Sequence, residues 1–335
     1  MNSNESPPAQ LMKFIVSRWI SKPIYVAAEL GIADLLAEGP KSIGELARES
    51  ETHAPFLYRT LRALASVGIF SENEGRKFEL TPMADYLKSG AMRSIAQVFN
   101  AEWSDKAWGC FLESVKTGET PFEIAYGMTV TDWLEKNPPA AKVFNEANAI
   151  KAAVSHRAIV DAYDFSGIRT LTDVGGGIGL LMVEILTANP SMEGVILEIP
   201  SVVIEAKKLI RARGFESRCQ AMECDFFIHI PSGSDAYLLS NILHDWADDK
   251  CHRILTNCHK AMKADSKLLV MEMIVPPGNE PSVAKLLDLE MLVTTGGRER
   301  MEAEFKEIFE LSGFKLARLI TTGENVCIIE GIRED

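Results

Sequence analysis

The stretch Leu171-Thr-Asp-Val-Gly-Gly-Gly-Ile-Gly-Leu180 decides how this chain folds. Leu171 to Val174 reads as a short buried strand. The glycines from Gly175 to Gly179 allow backbone angles and close approaches that side chains forbid, and Leu180 to Ala188 reads as the helix that follows. Downstream, apolar runs at Gly194–Ile199, Ala236–Ser240 and Lys267–Val275 alternate with helical segments. That alternation predicts an α/β domain with a parallel sheet. Phe314–Ile320 and Val326–Gly331, turning around Gly323, read as an antiparallel hairpin that closes it.

The glycine loop also narrows the ligand. A dinucleotide fingerprint needs G-x-G-x-x-G/A, but counting from Gly175 and Gly177 puts Leu180 at the last position. The signal for a pyrophosphate is therefore weak. A nucleoside lacking pyrophosphate, such as S-adenosylmethionine, needs only the close-approach loop (Asp173, Gly175 and Gly177) and an acid for the ribose hydroxyls. Glu198 ends the second strand at the right distance for that acid. Asp225 and Phe226, after the third strand run, are then expected beside the adenine. The alternative is a tight strand-to-helix turn that binds nothing.

Working toward the N-terminus, residues 94–163 read as helices interrupted at Gly118, Pro121, Gly127 and Pro138-Pro139. Before them, Pro55–Phe70 places Leu57, Leu61, Leu64 and Val67 on one helical face, and Phe70–Pro82 alternates around a glycine turn like a β-hairpin. Helices followed by a hairpin suggest a winged-helix module. Arg59 and Arg62 are its only candidates for touching nucleic acid, and Glu45, Glu49, Glu51, Glu72 and Glu74 surround them. Apolar Trp19, Ile20, Ile24, Tyr25 and Val26 fit a subunit contact or a domain core.

The length of 335 residues suggests about two domains. With 47% hydrophobic and 24% charged residues the chain reads as globular. The net charge of −12 argues against nucleic acid or an anionic membrane as partner. Six scattered cysteines without a C-x-x-C pair argue against a disulfide framework. The N-terminus lacks the pattern of a secretory signal, and no apolar run reaches the ~18 residues of a membrane span. The expected location is cytoplasmic, with reduced thiols.

Four motifs in order, the glycine loop, Asp225-Phe226-Phe227, Ile242-Leu-His-Asp-Trp246 and Gly297-Arg-Glu-Arg300, make the chain resemble one family from about Leu11 to Gly331. It is similar to the small-molecule O-methyltransferases that include plant caffeic acid, animal acetylserotonin and bacterial phenazine or polyketide enzymes. The resemblance implies a winged-helix-like dimerisation domain at 1–100 and a helical connector at 101–163 that contributes to the acceptor pocket. It also implies a Rossmann-like catalytic domain at 164–335, S-adenosylmethionine as cofactor and a homodimer. By the same resemblance His244 is the general base, flanked by Glu272 and Glu299, and Ser240 lies on the cofactor side. Trp103, Trp108, Phe111, Phe144, Asn148, Met291 and Thr294 are expected around a small-molecule acceptor. The chain departs from the family pattern at Glu198 (usually Asp), Ser240 (often Lys or Arg) and Asn148 (commonly Met). The last departure implies a more polar acceptor than a flat phenol.

These residue types suit the chemistry. A hydroxyl attacks a sulfonium methyl better once a base removes its proton, and an imidazole held by a carboxylate has the right tautomer. No metal is expected. Cys251, His252, Cys258 and His259 share one helix, with the thiols on the apolar face and the histidines mostly away from it. Two other readings stay open: methylation of sulfur or a non-methylating use of the same cofactor, and an acidic winged-helix regulator without catalysis.

Overall fold

A computed structural model describes residues 6–334, which divide into two compact units. The first holds the chain up to Lys106 together with 131–151; the second holds 107–130 and everything after Lys151. The helices expected to form a connector over 101–163 are thus shared between the two units. The helix Pro138–Ala162 is continuous in both its parts.

In the first unit, the helix Ala54–Ser66 buries Leu57, Leu61 and Leu64 against Ile32, Leu46 and Phe78. Val67 falls just past its end and is 43% exposed, because Gly68 at φ +81° turns the chain out of the helix there. The anticipated hairpin is present: β2 (Phe70–Glu72) pairs antiparallel with β3 (Lys77–Leu80). The Asn73 side chain closes its turn by accepting from the Gly75 and Lys77 N–H groups. A third strand, β1 (Lys41–Ser42), joins β3. Two residues are too few to carry a readable period, so no sequence pattern marks this strand.

The second unit is built on seven strands: β4 (Thr170–Val174), β5 (Glu193–Glu198), β6 (Cys219–Glu223), β7 (Ala236–Ser240), β8 (Lys267–Met273), β9 (Phe314–Thr321) and β10 (Val326–Arg333). Their spatial order is β6-β5-β4-β7-β8-β10-β9. The first five are parallel, and β10 runs antiparallel to both β8 and β9. The closing hairpin therefore inserts its second strand next to β8, with Ile328 and Ile329 fully buried on opposite faces. Apolar layers cover both faces of the sheet, which is why β7 and β8 read as nearly continuous apolar runs rather than alternating ones. In such a sheet ligands bind beyond the carboxyl ends of the strands, where the polar motifs of this chain lie.

Candidate active site

Beyond β4, Gly175, Gly177 and Gly179 all have left-handed φ, at +72°, +57° and +89°. Gly175 lies against Ile242, where an added Cβ would come within 2.5 Å of its Cδ1. Gly179 packs against Ile196 of β5, which brings the helix Leu180–Ala188 down on the sheet. Gly177 faces open space on the side where a Cβ would stand, which leaves room for a ligand to approach the loop there.

Two carboxylates sit under this loop. Asp173 is 1% exposed, and its Oδ1 has no hydrogen-bond partner. Burial, and then the charge of Glu198, push its pKa up to about 7. Glu198 accepts from the Gly177 N–H at 3.0 Å and from the Ile199 N–H at 2.9 Å. Burial raises its pKa against these two backbone bonds. The sequence placed Glu198 near a ribose but did not show that it also braces the loop. Asp225 is exposed and accepts from the Phe227 N–H, while Phe226, Phe227 and Trp246 form one aromatic cluster. Ser240, half-buried, ends β7, and the next residue, Asn241, takes φ +52°. Asparagine enters this left-handed region more readily than other residues with a side chain. An orphaned buried carboxyl, a glycine loop with open space at Gly177, a strand-end acid and an aromatic cluster fit a cationic nucleoside such as S-adenosylmethionine.

A short turn, Leu243–Asp245, follows Asn241 and presents His244. Glu272, fully buried at the end of β8, holds this turn: its Oε1 accepts N–H groups from Ile242 (3.0 Å), Leu243 (2.8 Å) and His244 (3.3 Å). Its Oε2 lies 3.3 Å from His244 Nδ1, and Glu299 Oε1 lies 2.9 Å from the same nitrogen. Glu299 is set by Asp288, which accepts its backbone N–H, and the His244 carbonyl accepts the Arg298 N–H. With Nδ1 facing two carboxylates, a neutral ring carries its lone pair on Nε2. Burial pulls the imidazole pKa down, but Glu272, Asp245 and Glu299 outweigh it and raise it above the ordinary histidine value. Burial, reinforced by Glu299, holds the Glu272 carboxyl above the usual range despite the ring.

His244, Glu272 and Glu299 also form a group that could hold a metal ion. Donor atoms of His244, Glu272 and Glu299 lie within 4.8 Å of one another. Glu272 and Glu299 are 28 and 55 residues beyond His244, so no local spacing announces the cluster. Cys251 and Cys258 are buried as expected; His252 bonds Ser312 and His259 meets the Glu334 carbonyl.

The expected acceptor residues are divided between the units. In the second, Trp108 lies against Phe111 and donates its Nε1–H to Glu290 at 3.0 Å. Met291 and Thr294 are buried on the helix Val283–Thr294, where Thr294 spends its hydroxyl on the Glu290 carbonyl. In the first, Trp103 packs on Trp133, while Phe144 and Asn148 are half-buried on the long helix. Asp288 and Glu290 were missed, although both lie on the helix that leads into the Gly297-Arg-Glu-Arg300 motif.

Two family profiles and several known proteins are similar to this chain. The profile of the O-methyltransferase domain matches residues 108–315, and that of the O-methyltransferase dimerisation domain matches residues 12–90. Phenazine O-methyltransferase PhzM of Lysobacter antibioticus is 42% identical over 96% of this chain and 94% of its own. An 8-amino-8-demethylriboflavin N,N-dimethyltransferase of Streptomyces davaonensis is 31% identical over 96% and 94%. The crystal structure of LaPhzM matches with a TM-score of 0.94 and 42% identity, covering 98% of this chain and 100% of that one. Several similar structures hold S-adenosylmethionine or S-adenosylhomocysteine.

Proposed function

Because the chain belongs to the S-adenosylmethionine-dependent small-molecule O-methyltransferase family, we propose that it methylates a hydroxyl of a small metabolite, with His244 as general base and no metal. The observation that carries this reading is the His244 ring, whose Nδ1 is held between Glu299 and Glu272 so that Nε2 is left to take a proton.

S-adenosylmethionine supplies a methyl group already activated on a sulfonium. Asp173, the Gly175–Gly177 backbone and Glu198 hold it, with Asp225 and Phe226 at the adenine end. His244 Nε2 removes the hydroxyl proton as the oxygen attacks, an effect worth roughly 10²–10⁴ in rate. Glu272 and Glu299 stabilise the resulting imidazolium and fix the ring's orientation. The remaining acceleration comes from holding the two reactants in line. The Nδ1–carboxylate contact commits this nitrogen to orienting the ring, and an activated methyl needs no Lewis acid.

A homodimer is part of the proposal. Leu11, Phe14, Ile15 and Trp19 are 59–73% exposed on the first two helices, an apolar row that a subunit contact would cover. No helix among the described residues is long and apolar enough to cross a membrane.

One second reading has an observation behind it: relatives of this chain include enzymes that methylate nitrogen, so an amine is the leading alternative acceptor. A panel of phenols, hydroxy acids, aromatic amines and thioethers, read by S-adenosylhomocysteine release, tests the proposal. Turnover confined to hydroxyl acceptors supports it. Turnover confined to amines or thioethers refutes it.

A further inference from the structure

The last arginine of the Gly297-Arg-Glu-Arg300 motif has no part in the chemistry above, yet Arg300 is 1% exposed and among the largest fully buried side chains. An arginine is rarely buried unless it is fully paired. Its Nη1 donates to the Leu243 carbonyl at 2.9 Å and to the Arg298 carbonyl at 3.3 Å. Its Nη2 donates to the Trp246 carbonyl at 2.9 Å and to Asp248 Oδ1 at 2.6 Å, and Nε reaches the same carboxylate oxygen at 3.0 Å. The two turn carbonyls it holds therefore bracket His244. Cys251 adds to the same cage, its thiol donating to the Leu243 carbonyl at 3.1 Å.

Its backbone is tied elsewhere. The Arg300 carbonyl accepts the Val275 N–H at 3.0 Å, and Ile274 bridges Arg300 in a parallel pairing. Those two residues follow directly on β8, the strand that carries Glu272 and ends at Met273. Glu299 is the preceding residue. One side chain and one peptide unit thus touch the three segments that carry His244, Glu272 and Glu299.

We propose that Arg300 is the positioning residue of this site, a planar fork that locks the His244 turn to the Glu299 segment and to the end of β8. A guanidinium suits the task because its rigid geometry satisfies carbonyls in fixed directions while Asp248 balances its charge. Lysine would keep the charge but not the fork. Among the described residues Arg300 makes no hydrogen bond or ion pair with the His244 ring or the glycine loop, so its loss acts first through the turn that presents the base. The inference rests on the reading of His244 as base.

The test compares Arg300→Lys and Asp248→Asn with the full-length enzyme and with His244→Ala. The measurements are kcat, acceptor KM, S-adenosylmethionine affinity and unfolding temperature. Misplacing a catalytic group by about 1 Å costs roughly 10² in rate. Arg300→Lys is therefore expected to lose roughly 10–100-fold in kcat while KM and cofactor affinity stay within about threefold. Asp248→Asn, whose side chain is 60% exposed and still offers the guanidinium an amide oxygen, is expected to lose several-fold in kcat in the same pattern. If Arg300→Lys does not fold, Asp248→Asn decides alone. Undiminished kcat in the folded variants overturns the proposal, as does a loss shared equally by kcat, cofactor affinity and stability. If His244→Ala itself keeps full activity, the reading of the base fails first, a result distinct from either of these.

Discussion

Gly297 gives the sharpest test of how closely the base is fitted. It needs no special backbone angle; what it supplies is room. A Cβ there would overlap the His244 carbonyl oxygen and stand 2.5 Å from the Asp245 carbonyl carbon and 2.8 Å from the Trp246 nitrogen. All three are backbone atoms of the turn that presents the imidazole, so no rotamer change relieves the clash. Ordinary contact begins at 3.4 Å; clearing the Asp245 carbonyl carbon alone takes about 0.9 Å and clearing the His244 carbonyl oxygen takes more, so Gly297→Ala must part the two segments by over 1 Å. The overpacking strain is expected to cost about 1–3 kcal/mol of stability. The displacement works directly on the 2.9 Å contact between His244 and Glu299, and a shift of that size costs roughly 10² in rate. The three atoms nearest the added methyl belong to the turn of the base and not to the cofactor loop. Single-turnover kinetics with saturating acceptor, beside calorimetric titration of S-adenosylmethionine and a thermal melt, would separate these effects. A folded Gly297→Ala enzyme with wild-type turnover would refute the close-fit account.

Three other expectations follow from the same geometry. Glu198→Ala removes both a ribose acceptor and the brace on the Gly177 N–H, so calorimetry should find S-adenosylmethionine binding weakened by roughly 2–4 kcal/mol; unchanged affinity sinks that assignment. Ile15→Glu with Trp19→Glu places charge on the exposed apolar row without entering the core, and light scattering should show a dimer becoming a folded monomer; a wild-type enzyme that is already a compact monomer contradicts this. A protonated ring cannot accept a proton, so kcat/KM should fall as pH drops, with its acid limb above the ordinary histidine value of 6.5 because of Glu272, Asp245 and Glu299. The linked stability has the opposite sense: it is present in full below 6.5 and is lost as pH rises through the raised pKa of the folded state. An acid limb at or below 6.5 is the contrary result.

The parallel sheet was legible because its strands are apolar on both faces and separated by helical periods, and because a glycine loop ends the first of them. The place of β10 was not, since a hairpin in the sequence does not say which of its strands faces β8. The helices around Trp103 and Trp108 were read as one connector because periodicity shows helices but not the unit each packs into. At the site, the glycine loop and Glu198 could be read from local spacing. The grouping of His244 with Glu272 and Glu299 depended on the resemblance, because the three come from separate segments that only the sheet brings together. The backbone bonds that Glu272 accepts depend on tertiary contacts and leave no trace in residue type, whereas Asn241 and Gly297 are residue types suited to their positions without showing what surrounds them.

The central claim is that His244 removes the acceptor's proton, and the direct measurement is turnover of His244→Ala with an acceptor found in the panel, taken together with its S-adenosylmethionine affinity and its response to a chelator. The account predicts unchanged cofactor affinity, a loss of roughly 10²–10⁴ in kcat, and wild-type activity that a chelator does not alter. Full activity in His244→Ala would contradict it, and loss of wild-type activity on chelation would contradict its metal-free form.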